Sequence, residues 1–445
     1  MKRWMLVALG AALLVAVGAG AQTASRAQKQ QKLDNLDRGR AEDMLRAVYE
    51  TVKKHYYDPK FHGVDIDARF KEYDNRIKQA QNLEAAFTDI AAYLSALHDS
   101  HTFFQPPSLT FRFDYGFRMQ MIGDQAFVTE VRPDSDATEK LHSGDQILSL
   151  GRFQVNRGDY PDLEYFLRQL WPQPQLRLVV RSPEGNARDE IVRTKFIQEK
   201  QLMDLSVPFS PDMWHLIRQI EGQDHLTRDR WVDIGDTMIW KMPEFFMSDA
   251  EMDDMMARAR KHSALILDLR GNPGGSTKVL ENLIGFFFDH EVTIATRQTR
   301  KEEKPWEAKT KGKKAFNGKL FVLIDSLSAS AAELFAKTIQ LEHRGVIIGD
   351  RSQGAVMESQ FYPLQMGQGT LVFYGVAVAH ADLIMPDGKS LEHVGVTPDV
   401  VVLPTNTDLA LGRDPALSRA ATLAGEKLDP EAAGKLFPFE WAPLR

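Results

Sequence analysis

The chain has no cysteine among its 445 residues. This excludes a disulfide framework, a thiolate nucleophile and any cysteine-ligated metal site. Neither sign of charge dominates, since 55 Lys+Arg face 61 Asp+Glu for a formal net charge of −6. Phosphate backbones are held by concentrated basic surface, so this balance speaks against nucleic acid as a partner. There is no internal repeat and no low-complexity tract. After the N-terminus, no apolar run suggests a multi-span membrane protein. What is present, 43% hydrophobic and 26% charged residues, is the balance of an ordinary globular protein. At ~100–200 residues per domain, the length implies two or three domains.

The first residues read as an address. Lys2 and Arg3 form a positive start, Trp4 to Gly18 is apolar, and Ala19-Gly20-Ala21 has the small-x-small form of a cleavage site. Residues 1–21 are therefore expected to be a signal peptide cut after Ala21, with export to a periplasm or the outside and no stable membrane insertion afterwards. The alternative is an uncleaved anchor, for which the apolar run is shorter than the ~20 residues needed to span a bilayer.

Along the remaining chain the hydrophobic period changes twice. Residues 30–108 are helical in pattern: Met44, Leu45, Val48 and Val52 recur at helical spacing, as do Leu83, Phe87, Ile90, Leu94 and Leu97. Residues 113–198 carry short alternating runs such as Ala126–Val128 and Leu176–Val180, with one helix-like piece at Asp162–Leu170, which predicts a compact β-rich module. Residues 226–404 alternate strand and helix. Strands are predicted at Thr237–Lys241, Ala264–Leu269, Leu320–Ile324 and Val346–Ile348, and helices at Asp249–Lys261, Thr277–Phe287 and Ala331–Leu341. Such alternation predicts an α/β domain with a largely parallel sheet. A β-rich stretch follows at Gly369–Ala381, and residues 405–445 form a tail with one helix near Ala416–Glu426.

Four segments could carry chemistry. The run Leu320 to Ile324 passes through Ser326, Ser328, Ala329 and Ser330 directly into a helix. A serine at such a junction sits where helix N–H groups can stabilise an oxyanion, which suits a nucleophile, although serine also commonly caps helices. The strand Leu265–Asp268 ends in Arg270-Gly271-Asn272-Pro273-Gly274-Gly275, where backbone amides could approach a ligand. That loop lacks the P-loop lysine and the dinucleotide spacing, so a plain tight turn competes with any binding role. In Leu97-His98-Asp99-Ser100-His101-Thr102, the i, i+3 histidines are expected on one helical face. A zinc pair lacks a third-ligand motif there, and a histidine general base suits the segment better. Finally, Glu392 precedes a glycine turn in Glu392-His393-Val394-Gly395, where an isolated carboxylate is ordinarily just solvated.

Taken together and in order, these segments resemble the C-terminal processing (tail-specific) serine peptidases. The resemblance runs from about Tyr56 to Pro404 through Leu97–Thr102, Asp268–Gly275, Ser328–Glu333, Val346–Gly354 and Glu392–Asp399. It implies a multidomain α/β protein with a helical N-terminal domain, a PDZ-like domain and a crotonase/Clp-like catalytic domain. In the PDZ-like part, Tyr115-Gly116-Phe117 looks like the loop that captures a peptide's terminal carboxylate. The nucleophile of the family's Ser-Ala-Ser-Ala-x-Glu run maps to Ser330, and the oxyanion hole to the N–H groups of Ala331 and Gly274, with Gly275 a close rival.

The better-known branch of that family takes a lysine as base, but Ala355 stands at the matching position in Gly354-Ala355-Val356. The branch similar to the tricorn core uses a histidine preceded by serine, with a distant glutamate, and His101, Ser100 and Glu392 match these. The resemblance implies a serine endopeptidase acting on unfolded or tail-exposed polypeptides with exposed C-termini, without metal or cofactor and with homo-oligomerisation open. A non-catalytic peptide- or ligand-binding protein on the same scaffold is the alternative.

Overall fold

Three N-capped helices open the structure. Asp34, Asp65 and Asn82 each accept a backbone N–H at the start of Asn35–His55, Ile66–Gln79 and Leu83–Leu94. Met44, Leu45, Val48 and Val52 lie buried along one stripe of the first. The structure, a computed structural model, describes residues 33–108, 111–198, 227–367 and 371–442. The expected signal peptide and the leader before Leu33 lie outside these residues.

The third helix ends in a tight turn, Ser95–Leu97, and His98 then takes a left-handed conformation (φ 54°). The chain beyond it is not helical, so His98 and His101 do not share a helical face as the i, i+3 spacing predicts. The cause is Asp99, whose Oδ1 accepts the N–H groups of both His101 (3.0 Å) and Thr102 (2.6 Å) and folds the segment back on itself. Strand Phe103–Gln105 follows at once and pairs antiparallel with the long strand Val372–Ile384.

Residues 117–193 build a five-stranded antiparallel sheet in simple sequence order, from Phe117–Ile122 to Ala187–Arg193. Helix Tyr160–Tyr165 crosses from its third strand to its fourth. A second sheet runs in the order Val400–Val401, Val346–Gly349, Lys319–Ile324, Ala264–Asp268, Thr237–Lys241, Arg230–Ile234. It is parallel except at the last, antiparallel pair.

The parallel strands read as unbroken apolar runs because both of their faces are covered. Leu265 and Leu267 join one core with helices Asp249–Ala259, Thr277–Gly285 and Ala331–Leu341. Ile266 and Leu323 join another with Ala416, Leu417, Ala420 and Ala421 of helix Pro415–Ala424. The C-terminal region therefore forms a layer of this α/β unit. A third, antiparallel sheet contains hairpins 292–308 and 357–384, most of which the hydrophobic pattern does not reveal. Among the described residues, no helix is long and apolar enough to cross a membrane.

Candidate active site

Ser330 stands between strand Lys319–Ile324 and helix Ala331–Leu341 in a backbone conformation, φ 54° and ψ −117°, that side-chain-bearing residues seldom adopt. A sharp, strained strand-to-helix turn of this kind exposes a nucleophilic hydroxyl in hydrolases on other folds. The strain is held by the surroundings. The Ser330 N–H donates to Ala355 O (2.9 Å) and to Glu333 Oε2 (3.1 Å). Ser328, the other serine of the run, is fully buried, and its hydroxyl donates to Leu269 O (2.8 Å), a bracing role.

Glu333 organises the floor of this elbow. Its Oε1 accepts from Ser352 Oγ (2.5 Å) and Gly354 N (2.7 Å), and its Oε2 accepts from Ala355 N (2.9 Å) as well as from Ser330. Burial pushes its carboxyl up to about 7, against the pull of these four donors toward the ionised form. Sequence alone assigns Glu333 no role. The Ser-x-x-Glu spacing at the start of a helix, a capping-box pattern, was the available signal.

The glycine loop packs directly on the serine. A Cβ on Gly274 would lie 2.7 Å from Ser330 Cβ, and Gly274 has φ 100°, so no larger residue fits. The N–H of Gly274 is not available to an oxyanion, however. It donates to Asn272 Oδ1 (2.8 Å), and the Asn272 amide is itself anchored on Met242 O. Among the described residues the N–H groups of Gly275 and Ala331 make no hydrogen bond, so Gly275 is the better placed of the two rival glycines. Ala331 is the first helical residue, whose N–H has no intrahelical partner.

Behind this loop, burial alone would raise Asp268. Arg270 and Lys241 outweigh it and hold the carboxylate well below the usual range.

On the other side, the neighbours Ser100 and His101 meet the distant Glu392. Glu392 accepts from Ser100 N (2.6 Å) on Oε1 and from Ser100 Oγ (2.9 Å) on Oε2. Ser100 Oγ is 2.7 Å from His101 Nδ1. With Glu392 ionised, Oε2 can only accept, so the Ser100 hydroxyl is the donor of that pair and Oγ must accept from Nδ1–H. The histidine proton then sits on Nδ1, leaving Nε2 as the basic nitrogen. Burial lowers the His101 pKa below its ordinary value, partly offset by the Asp99 carboxylate. Burial raises Glu392, opposed first by the Val356 N–H.

Two adjacent residues join the halves of the site. Ala355 O receives the Ser330 N–H, and the next N–H, of Val356, donates to Glu392 Oε2 (2.7 Å). Among the described residues no hydrogen bond links the Ser330 hydroxyl to His101.

The residues expected to bind a peptide terminus are engaged differently. The Tyr115 hydroxyl donates to Leu167 O (2.9 Å) and accepts from Gln173 N (3.0 Å), inside its own module. The Gly116 N–H donates to Asp114 Oδ1 (2.7 Å), and only Phe117 of the three faces a cavity.

Comparison with known proteins agrees with this architecture. Residues 236–402 match the model of peptidase family S41, and residues 40–94 match the tricorn protease C1 domain. The chain is 25% identical over 319 residues to the tail-specific protease of Haemophilus influenzae, covering 65% of this chain and 42% of that one. It is 30% identical over 175 residues to the carboxy-terminal-processing protease of Bartonella bacilliformis, covering 38% of this chain and 39% of that one. It thus spans less than half the length of these curated relatives.

Among solved structures, mature CPAF complexed with lactacystin superposes with a TM-score of 0.61 at 15% identity, over 84% of this chain and 96% of that one. The photosystem II D1 C-terminal processing protease gives 0.50 at 18%, over 89% and 99%. These likenesses show a shared fold. Within that fold, residues 236–402 are similar to peptidase family S41 and residues 40–94, ahead of them, to the tricorn protease C1 domain.

Proposed function

We propose that this protein is an exported serine endopeptidase of the C-terminal processing type, acting on unfolded or tail-exposed polypeptides. The observation that carries the reading is the Glu392–Ser100–His101 hydrogen-bond chain, tied through Ala355 and Val356 to the strained Ser330. Ser330 Oγ attacks the scissile carbonyl while His101 Nε2 takes its proton. The oxyanion of the tetrahedral intermediate is met by the N–H groups of Ala331 and Gly275. The intermediate collapses to an acyl-enzyme as His101 passes its proton to the leaving amine, and water repeats the sequence in reverse roles. Ser100 and Glu392 fix the tautomer and support the transient imidazolium. The lysine of the related branch has no counterpart, since Ala355 is buried with both its N–H and its carbonyl engaged around Ser330.

The antiparallel module at 113–198 serves as a PDZ-like element that receives the polypeptide as an added strand. The divisions 30–108, 113–198 and 226–404 belong to the same reading, with residues 405–445 layered onto the last of them rather than a separate tail and residues 1–21 as the export signal. Casein digestion by the purified protein and by Ser330→Ala tests it. Digestion by the parent and none by the folded variant is the expected result. Equal digestion by both, or none by either, favours a peptide-binding protein on the same scaffold.

A further inference from the structure

A cavity of about 750 Å³ lies between the antiparallel module and the loops that flank Ser330. Met119 and Tyr160 line it from the module, and Leu327 and Gln353 from the catalytic side. The Gln353 N–H donates to Ser328 O (2.9 Å), so this wall is continuous with the nucleophile loop. Part of the remaining wall is the chain's own segment 439–442.

That segment is held by arginines through contacts any polypeptide of the same pattern could make. Arg118 lies over the Phe439 ring (4.5 Å) and Arg132 over the Trp441 ring (4.5 Å). Between them, Glu440 pairs with Arg228 (3.3 Å) and Arg230 (3.7 Å). Arg230 Nη1 donates to Pro438 O (3.0 Å) and Arg132 Nη2 to Ala442 O (2.9 Å). The pattern read is aromatic, acidic, aromatic, with the backbone carbonyls on either side also bound. Phe439 remains 38% exposed, so the segment lies across the cavity as a strap, not as core.

We propose that residues 437–442 are an intrachain ligand of this cavity, occupying the arginine faces that an incoming aromatic–acidic–aromatic polypeptide would use. The proposal rests on the reading that polypeptides are the substrates, but its test reads binding and not turnover. A short tether holds its segment at an effective concentration of about 1 mM, so a free copy with a Kd of about 0.1 mM would be suppressed roughly tenfold.

The test is fluorescence anisotropy with a fluorescein-labelled Phe-Pro-Phe-Glu-Trp-Ala peptide and the full chain carrying Ser330→Ala to prevent cleavage. Adding Phe439→Ala and Trp441→Ala should tighten peptide binding about tenfold. Glu440→Lys, a change at a half-buried position that repels Arg228 and Arg230, should act in the same direction and serves if the aromatic pair is needed for folding. Arg118→Ala with Arg132→Ala in the opened background should remove the gain. Unchanged binding on opening would overturn the proposal. Weaker binding would also overturn it, by making the segment part of the site. If opening tightens binding while the protein with Ser330 intact digests no casein, the peptidase reading fails and the strap stands.

Discussion

Ser100 and Glu392, 292 positions apart, are joined by two hydrogen bonds, from the serine N–H and from its hydroxyl, to the two oxygens of one carboxylate. This pairing sets the direction of every proton in the chain that ends at His101. It also ties the C-terminal part of the α/β unit to the segment that leaves the N-terminal helices. His101 from one region and Ser330 from another are thereby brought to opposite sides of residues 355 and 356.

Glu392→Gln should disable this relay. Three donors converge on the carboxylate, from Ser100 N, Ser100 Oγ and Val356 N, and an amide would turn its own N–H groups toward at least one of them. In steady-state peptide hydrolysis we expect kcat to fall on the order of 10²-fold with little change in KM. A wild-type kcat would remove Glu392 from the mechanism.

The pH profile follows from the direction of the His101 shift. In the proposed mechanism the neutral imidazole is the active form, and burial lowers its pKa. Activity should therefore persist through neutrality and fall only as pH drops through a value below the ordinary ~6.5 of histidine. An acid limb centred above that value would contradict burial as the dominant influence, and a flat profile would contradict a histidine base.

Glu333→Gln should cost stability as well as rate. The four donors around the carboxylate leave no acceptor for an amide N–H, and at least one buried donor loses its partner. Urea unfolding should show a loss of about 2–4 kcal/mol. A change below about 0.5 kcal/mol would mean that the elbow does not depend on this carboxylate.

Lysine at 355 should not substitute for the histidine. Ala355 is buried, and its backbone already serves Glu333 and Ser330. The double variant His101→Ala/Ala355→Lys should remain as inactive as His101→Ala alone. Recovery of peptide hydrolysis would show that the site accepts the lysine chemistry of the other branch.

The parallel strands were legible because burial on both faces makes them continuous apolar runs, as in Leu265–Leu267 and Leu320–Ile324. Hairpin 292–308 escaped because one face of Glu303–Ala308 is exposed and charged, which reads as loop. The turn at 98–102 reads as helical in sequence because i, i+3 spacing also fits a tight turn closed by an aspartate, and only the Asp99 contacts distinguish the two. The order of motifs pointed to Ser330, Ser100, His101 and Glu392, and the first lies against Gly274 while the other three meet in space. The choice between Gly274 and Gly275 was not legible, since it turns on which N–H the Asn272 side chain captures. Nor could sequence show that Phe439 and Trp441 fold back onto Arg118 and Arg132.

The most direct test of the central claim is to treat the purified protein with a fluorophosphonate and locate the adduct by mass spectrometry, alongside Ser330→Ala and His101→Ala. An activated nucleophile predicts a single adduct on Ser330, absent from the first variant and strongly reduced in the second. An adduct elsewhere, or labelling of Ser330 that does not depend on His101, would contradict it.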